Sequence, residues 1–103
     1  MAKSVEYHSS ARADFDESLD WYLSRSVGSA IGFVLTVDDA IEKIIAASSR
    51  FPSTYSGCRY CALRRYPFRI VFHEEDDRLV IIAIAHAKRR PGFWRDRISS
   101  PRS

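Results

Sequence analysis

Apolar and polar positions along the chain change period three times, and each change marks a new kind of element. Ser4 to His8 alternates weakly, with Val5 and Tyr7 on one side, which predicts a short first strand. From Ala11 to about Arg25 the apolar residues Phe15, Leu19 and Tyr22 recur at i, i+4 and i+7, the signature of an amphipathic helix, with Trp21 off to one side. Ser9 and Ser10 offer N-cap oxygens, and Asp14 and Asp16 fall in or near the first turn, where the helix dipole favours anions. Ser26-Val27-Gly28-Ser29 reads as a break in which Gly28 ends one helix and Ser29 caps the next. A second helix is expected from about Ala30 to Ser49, with Phe33, Val34, Val37, Ala40, Ile41, Ile44 and Ile45 as its apolar stripe. A connection this short predicts an antiparallel helix hairpin. Gly32 inside the second helix costs up to ~1 kcal/mol against alanine, which close approach of the two helix backbones would justify.

Phe51-Pro52 stops the helix, because proline lacks the N–H and disfavours helix at the residue before it. Ser53 to Gly57 is a loop, and three strands follow. In the first, Arg59, Cys61, Leu63 and Arg65 share a face and Tyr60, Ala62 and Arg64 share the other; Tyr66-Pro67 reverses the chain. Phe68, Ile70 and Phe72 then alternate with Arg69, Val71 and His73, the mark of a half-buried strand. After the charged turn Glu74–Arg78, Leu79 to Ala85 is apolar throughout, as expected of a central strand covered on both faces. The order βααβββ indicates an α+β fold, with the N-terminal helix hairpin packed on an antiparallel sheet.

Length changes this picture little: 103 residues suit one domain, assigned to residues 1–98, with residues 99–103 expected to be a disordered tail. The N-terminal stretch has no apolar signal core and no run approaches the ~20 apolar residues of a membrane span, so a cytoplasmic location is expected. Charge changes it more. Residues 1–58 hold 5 Lys/Arg and 8 Asp/Glu, a net −3, whereas residues 59–103 hold 11 and 5, a net +6. One end of the domain is therefore basic, suited to phosphate or to an acidic protein segment, unless it is simply a solvated face.

Two features carry candidate chemistry. Cys58 and Cys61 form a C-x-x-C pair with no second ligand pair for zinc and a strand rather than a helix to sit on, so neither metal nor redox work is expected. No organic cofactor is suggested either. His86 ends the central strand and is followed by Lys88, Arg89 and Arg90, while Arg59, Arg65 and Arg69 come from neighbouring strands and could join them. A histidine among fixed cations suits general acid/base work on RNA, with arginine forks holding phosphate; the alternative is a histidine that caps the strand end beside solvated arginines. Trp94 and Phe93 could stack on bases, but an aromatic after a turn more often folds back onto the core, the role expected of Trp94.

Three stretches resemble the RelE/ParE family of toxins from bacterial type II toxin–antitoxin modules, and its ParE (plasmid stabilization) branch in particular. Ala11…Asp14-Phe15…Trp21-Tyr22 is similar to the first helix of that branch. Arg59…Leu63-Arg64-Arg65-Tyr66-Pro67-Phe68-Arg69-Ile70-Val71-Phe72 is similar to its arginine, reverse turn and hydrophobic strand, and Ala83–Arg97, with His86, Pro91 and Trp94, to its closing signature. Together they span about residues 3–97, in the family's order. The resemblance implies a toxin neutralised by a cognate antitoxin with a ribbon-helix-helix N-terminus. For a ParE-like chain the implied target is DNA gyrase, which requires no hydrolytic centre. For a RelE-like chain it is the ribosome with its mRNA, with His86, Arg69 and Arg89 as candidate catalytic residues. The RelE branch also uses an aromatic or a histidine near its C-terminus; no tyrosine stands in this tail. A third possibility is a degenerate member that only binds antitoxin. In each case Arg59, Arg65, Arg69, His86, Lys88, Arg89 and Arg90 are the expected working surface.

Overall fold

The structure is a computed structural model that describes residues 4–99. Its elements are β1 (Ser4–Tyr7), α1 (Ser9–Leu23), α2 (Val27–Ala47), β2 (Arg59–Ala62), β3 (Phe68–Glu75), β4 (Arg78–His86) and a short α3 (Arg95–Ser99). Up to β4 this is the expected α+β order, a helix hairpin followed by a strand meander. The sheet order is β1-β4-β3-β2; β4, β3 and β2 are antiparallel, and β1 joins β4 in parallel. β1 lies along β4 at the edge of the sheet, and the three strands after the hairpin form the antiparallel meander. From Ser100 onward the expected tail lies outside the described residues.

The helix boundaries move from the expected ones for local reasons. His8, not Ser9 or Ser10, caps α1: it has extended backbone, and its Nδ1 accepts a hydrogen bond from the Ser10 N–H. Ser26 caps α2, because its extended backbone brings its Oγ to the Ser29 N–H at 3.2 Å. Gly28 therefore lies inside α2 rather than ending α1.

The core has two sides. On the helix side, Phe33 is fully buried and its ring lies within 5.2–5.7 Å of those of Phe15, Tyr22, Tyr66 and Phe68. Burying one such side chain contributes roughly 1.5–3 kcal/mol, so this cluster holds both helices to the sheet. Gly32 serves it, although not through the helix-to-helix approach expected. A Cβ there would run into the Tyr66 hydroxyl, which reaches over Gly32 to donate to the Ser29 carbonyl at 2.9 Å.

On the other side, Val71, Val80, Ile82, Ala83 and Ala85 are covered by Trp94, itself only 3% exposed. Trp94 thus takes the core role expected of it, and β4 is buried on both faces along Leu79–Ala85. The pairing of β4 with β3 slips between Val71 and Phe72, whose partners are Ala83 and Ile81, so Ile82 is the extra residue of a β-bulge. Ile82 and Ala83 consequently face the Trp94 side together.

Beyond Ile81, β1 no longer accompanies β4, and side chains take over its edge. Asp14 from α1 accepts the Ile84 N–H at 3.1 Å, and Arg97 from α3 donates to the Ile82 carbonyl at 3.1 Å. The two side chains also pair with each other at 2.6 and 3.1 Å. This two-pronged contact holds the C-terminal segment against the sheet. The two cysteines are free, buried and on opposite sides of the sheet. Burial pushes the Cys58 thiol up to about 11. Among the described residues no helix is long and apolar enough to cross a membrane.

Candidate functional site

The turn after β4 and the loop before β2 rise above the Trp94 side of the sheet and enclose a cavity of about 200 Å³. Its floor is Val71, Ala85 and Trp94; its walls are Tyr55, Tyr60, Phe93, Arg69, His86, Arg89 and Arg90. Strand alternation accounts for the sheet residues: Tyr60 on β2 and Arg69 on β3 both point away from the helices. Gly92 accounts for the loop. Its φ of 75° turns the chain so that Trp94 folds back, and a Cβ there would crowd Arg95 and the Tyr55 ring.

Two cations of this wall, Arg69 and Arg89, and the neighbouring Arg95 lie over rings. The guanidinium carbon of Arg69 is 4.4 Å from the Tyr60 ring centre, that of Arg89 is 3.8 Å from Phe93, and that of Arg95 is 4.9 Å from Tyr55. Among the described residues neither Arg69 nor Arg89 has an acidic partner. The contrast lies within the same chain: Arg78 binds Glu6 and Glu75 at 2.7 Å each, and Arg97 binds Asp14.

His86 sits where two depressions meet. It lines the cavity above, and with Lys88, Trp21, Tyr22 and Phe68 it lines a second of about 390 Å³ beside α1. Its Nδ1 accepts the Lys88 N–H at 3.0 Å, and its ring meets Phe68 edge-on at 4.9 Å. The strand-capping role weighed for this histidine is therefore present in the geometry. With Nδ1 acting as acceptor, Nε2 carries the proton of the neutral ring and is the nitrogen left for a ligand.

Of the seven residues expected on the working surface, Arg69, His86, Arg89 and Arg90 come together around the first cavity, and Lys88 adjoins them through the second. Arg59 does not join them. It belongs to the helix-facing side of β2 and is spent on the Phe51 carbonyl, to which its Nη1 donates at 2.6 Å. Arg65 does not either, because β2 ends at Ala62 and Arg65 occupies a turn with φ 69°, beside Arg64, Leu35, Thr36 and Asp39. Two wall residues went unremarked as site residues in the sequence. Tyr60 could have been found by pairing its outward face with that of Arg69 across the strands. Tyr55, in an irregular loop, gives no periodic signal.

The comparisons decide the family. Residues 5–91 match the family described as "ParE toxin of type II toxin-antitoxin system, parDE". The chain belongs to the ParE toxin family. Among solved structures, a chain of the "Chromosomal ParDE TA system from P. aeruginosa" superposes with a TM-score of 0.72 at 23% identity, covering 84% of this chain and 98% of that one. At that identity the likeness carries the fold. Among curated proteins none matches. The ParE match takes in the helix hairpin, the whole sheet and the basic turn through Pro91, and stops just before Phe93 and Trp94.

Proposed function

We propose that this ParE-family toxin stops DNA replication by binding gyrase, and that the cation-lined wall formed by Arg69, His86, Lys88, Arg89 and Arg90 makes the contact. The observation that supports this most is the absence, among the described residues, of acidic partners for Arg69 and Arg89. Fixed cations held on aromatic rings and left without counter-charges are poised for an anionic partner. A binding role asks nothing more of His86, whose Nδ1 already caps the turn that presents Lys88 and Arg89. The site of action would be the cytoplasm, where gyrase works.

The same reading supplies a cognate antitoxin, with a ribbon-helix-helix N-terminus and a segment that folds on the toxin. Trp21, Leu23, Val27, Ile31 and Leu35 leave the helix hairpin with exposed apolar side chains that such a segment would cover. A supercoiling assay with purified gyrase tests the target. Inhibition with trapped cleaved DNA is expected, and full supercoiling at toxin excess would remove gyrase from the account. One observation favours a second reading, ribosome-dependent mRNA cleavage: His86, Arg69 and Arg89 line one cavity. New mRNA 5′ ends on translating ribosomes, without trapped DNA, would support it. Growth unaffected by induction without antitoxin would instead mark a member that only binds antitoxin.

A further inference from the structure

We infer that the cavity between the sheet and the turn after β4 is a receptor for one unstacked nucleotide of a single strand, its base among the aromatic walls and its phosphate on Arg69 and Arg89. The inference shares its surface with the proposed function, but does not depend on gyrase being the target. Size comes first. About 200 Å³ is below the roughly 300–1,000 Å³ of pockets for drug-sized ligands, and so suits one ring system with its charged group at the rim.

Chemistry narrows the choice. Arg69 lies over the Tyr60 ring and Arg89 over the Phe93 ring, at 4.4 and 3.8 Å, so each guanidinium is held beside an aromatic partner. A stacked guanidinium still offers its N–H edge, and that fork matches two phosphate oxygens. Guanidiniums and the rings beside them are planar groups on which bases stack without regard to sequence. A duplex keeps its bases stacked inside, so the cavity would take only a nucleotide already displaced from pairing. An acidic peptide could satisfy the arginines, but would leave the paired aromatic walls without a planar partner. Nucleotide is therefore the better fit. Deoxyribose and ribose strands present the same base and phosphate.

Fluorescence anisotropy with the intact protein tests this, using labelled (dT)8, (rU)8, a duplex of equal length and an acidic Glu/Tyr copolymer. Binding of one or both single strands in preference to the duplex is expected, and comparison of (dT)8 with (rU)8 identifies the strand. Arg69→Ala is expected to weaken it about 10- to 150-fold, the range of one lost hydrogen-bonded contact to a charged group. It should also make the slope of log K against log salt shallower, by up to about 0.7, the value of one phosphate contact. Arg69→Lys keeps the charge but not the plane, and is expected to recover the slope without the full affinity. Arg64→Ala removes a charge outside the cavity and is expected to bind as the wild type does. Equal binding of duplex, equal losses in Arg64→Ala and Arg69→Ala, or binding of the copolymer alone would each overturn the proposal. Gyrase is absent from these measurements, so their failure and a failed supercoiling assay are separate results.

Discussion

Asp14 and Arg97 stand 83 residues apart and together complete the edge of β4, which makes them the sharpest test of how this fold is held. Asp14→Ala removes both prongs of the Arg97 pair and the acceptor for the Ile84 N–H. The Arg97 guanidinium then keeps the Ile82 carbonyl and the Phe93 ring but no counter-charge, in a site where the Arg97 and Asp14 side chains are 17% and 11% exposed. Breaking a buried pair from one side costs about 3–5 kcal/mol, and an orphaned buried N–H about 1–3 kcal/mol. The two costs overlap and some water reaches the pair, so the expected loss is about 3 kcal/mol. For a domain of this size that lowers Tm by roughly 12–20 °C. Urea unfolding of the wild type, Asp14→Ala, Arg97→Ala and the double variant measures it. The double variant should lose less than the sum of the singles, with a coupling of about 1.5–3 kcal/mol. Native-state hydrogen exchange should accelerate at the Ile84 amide in Asp14→Ala. A loss under about 1 kcal/mol, with coupling near zero, would refute the claim that this pair secures the C-terminal segment.

Three further outcomes are expected. Gly32→Ala should destabilise the protein by about 1 kcal/mol despite the better helix propensity of alanine, because Tyr66 must move and give up its bond to Ser29. In a Tyr66→Phe background the same change should become neutral or stabilising, a reversal of sign that thermal melts can read. Trp94→Ala should cost about 3–5 kcal/mol by urea unfolding, since it empties the floor of the cavity and the cover of one sheet face. Cys58 gives a pH signature. Its thiol is held at about 11 against an ordinary 9.0, so folding favours the protonated form; that stabilisation is complete below pH 9 and is lost as pH rises through 11. Denaturation midpoints of the wild type should therefore fall more steeply over that window than those of Cys58→Ala, and parallel curves would count against it.

How much of this was legible in the sequence depended on whether a residue's role was periodic. The stripes of the two helices, the alternation of Phe68, Ile70 and Phe72, and the continuous apolar run of β4 all announced their elements, because burial repeats with backbone geometry. The boundaries were less legible, since His8 and Ser26 act as caps through single hydrogen bonds that leave no pattern. The bulge at Ile82 and the Asp14–Arg97 pair were invisible for the same reason: both depend on which elements meet after folding. Asp14 looked like a helix-dipole residue and serves as a strand partner. At the site, the basic turn His86–Arg90 was readable as a unit, because it is contiguous. Arg59 and Arg65 were drawn into it as basic residues of neighbouring strands, whereas Arg59 faces the helix side of β2 and a left-handed turn carries Arg65 elsewhere.

In the function proposed above, the ring-mounted cations around the cavity are the working surface of a ParE-family toxin. Growth arrest on induction without antitoxin, compared between Arg69→Glu and Arg64→Glu, tests it most directly. Arg69 belongs to the cavity wall, while Arg64 carries the same charge on the turn beside α2, and both are exposed. Charge reversal at either should leave the thermal melt close to that of the wild type, which confirms that both variants are folded. Arg69→Glu is expected to lose growth arrest, and Arg64→Glu to arrest growth as the wild type does. Full arrest by Arg69→Glu, or equal loss in both variants, would contradict it.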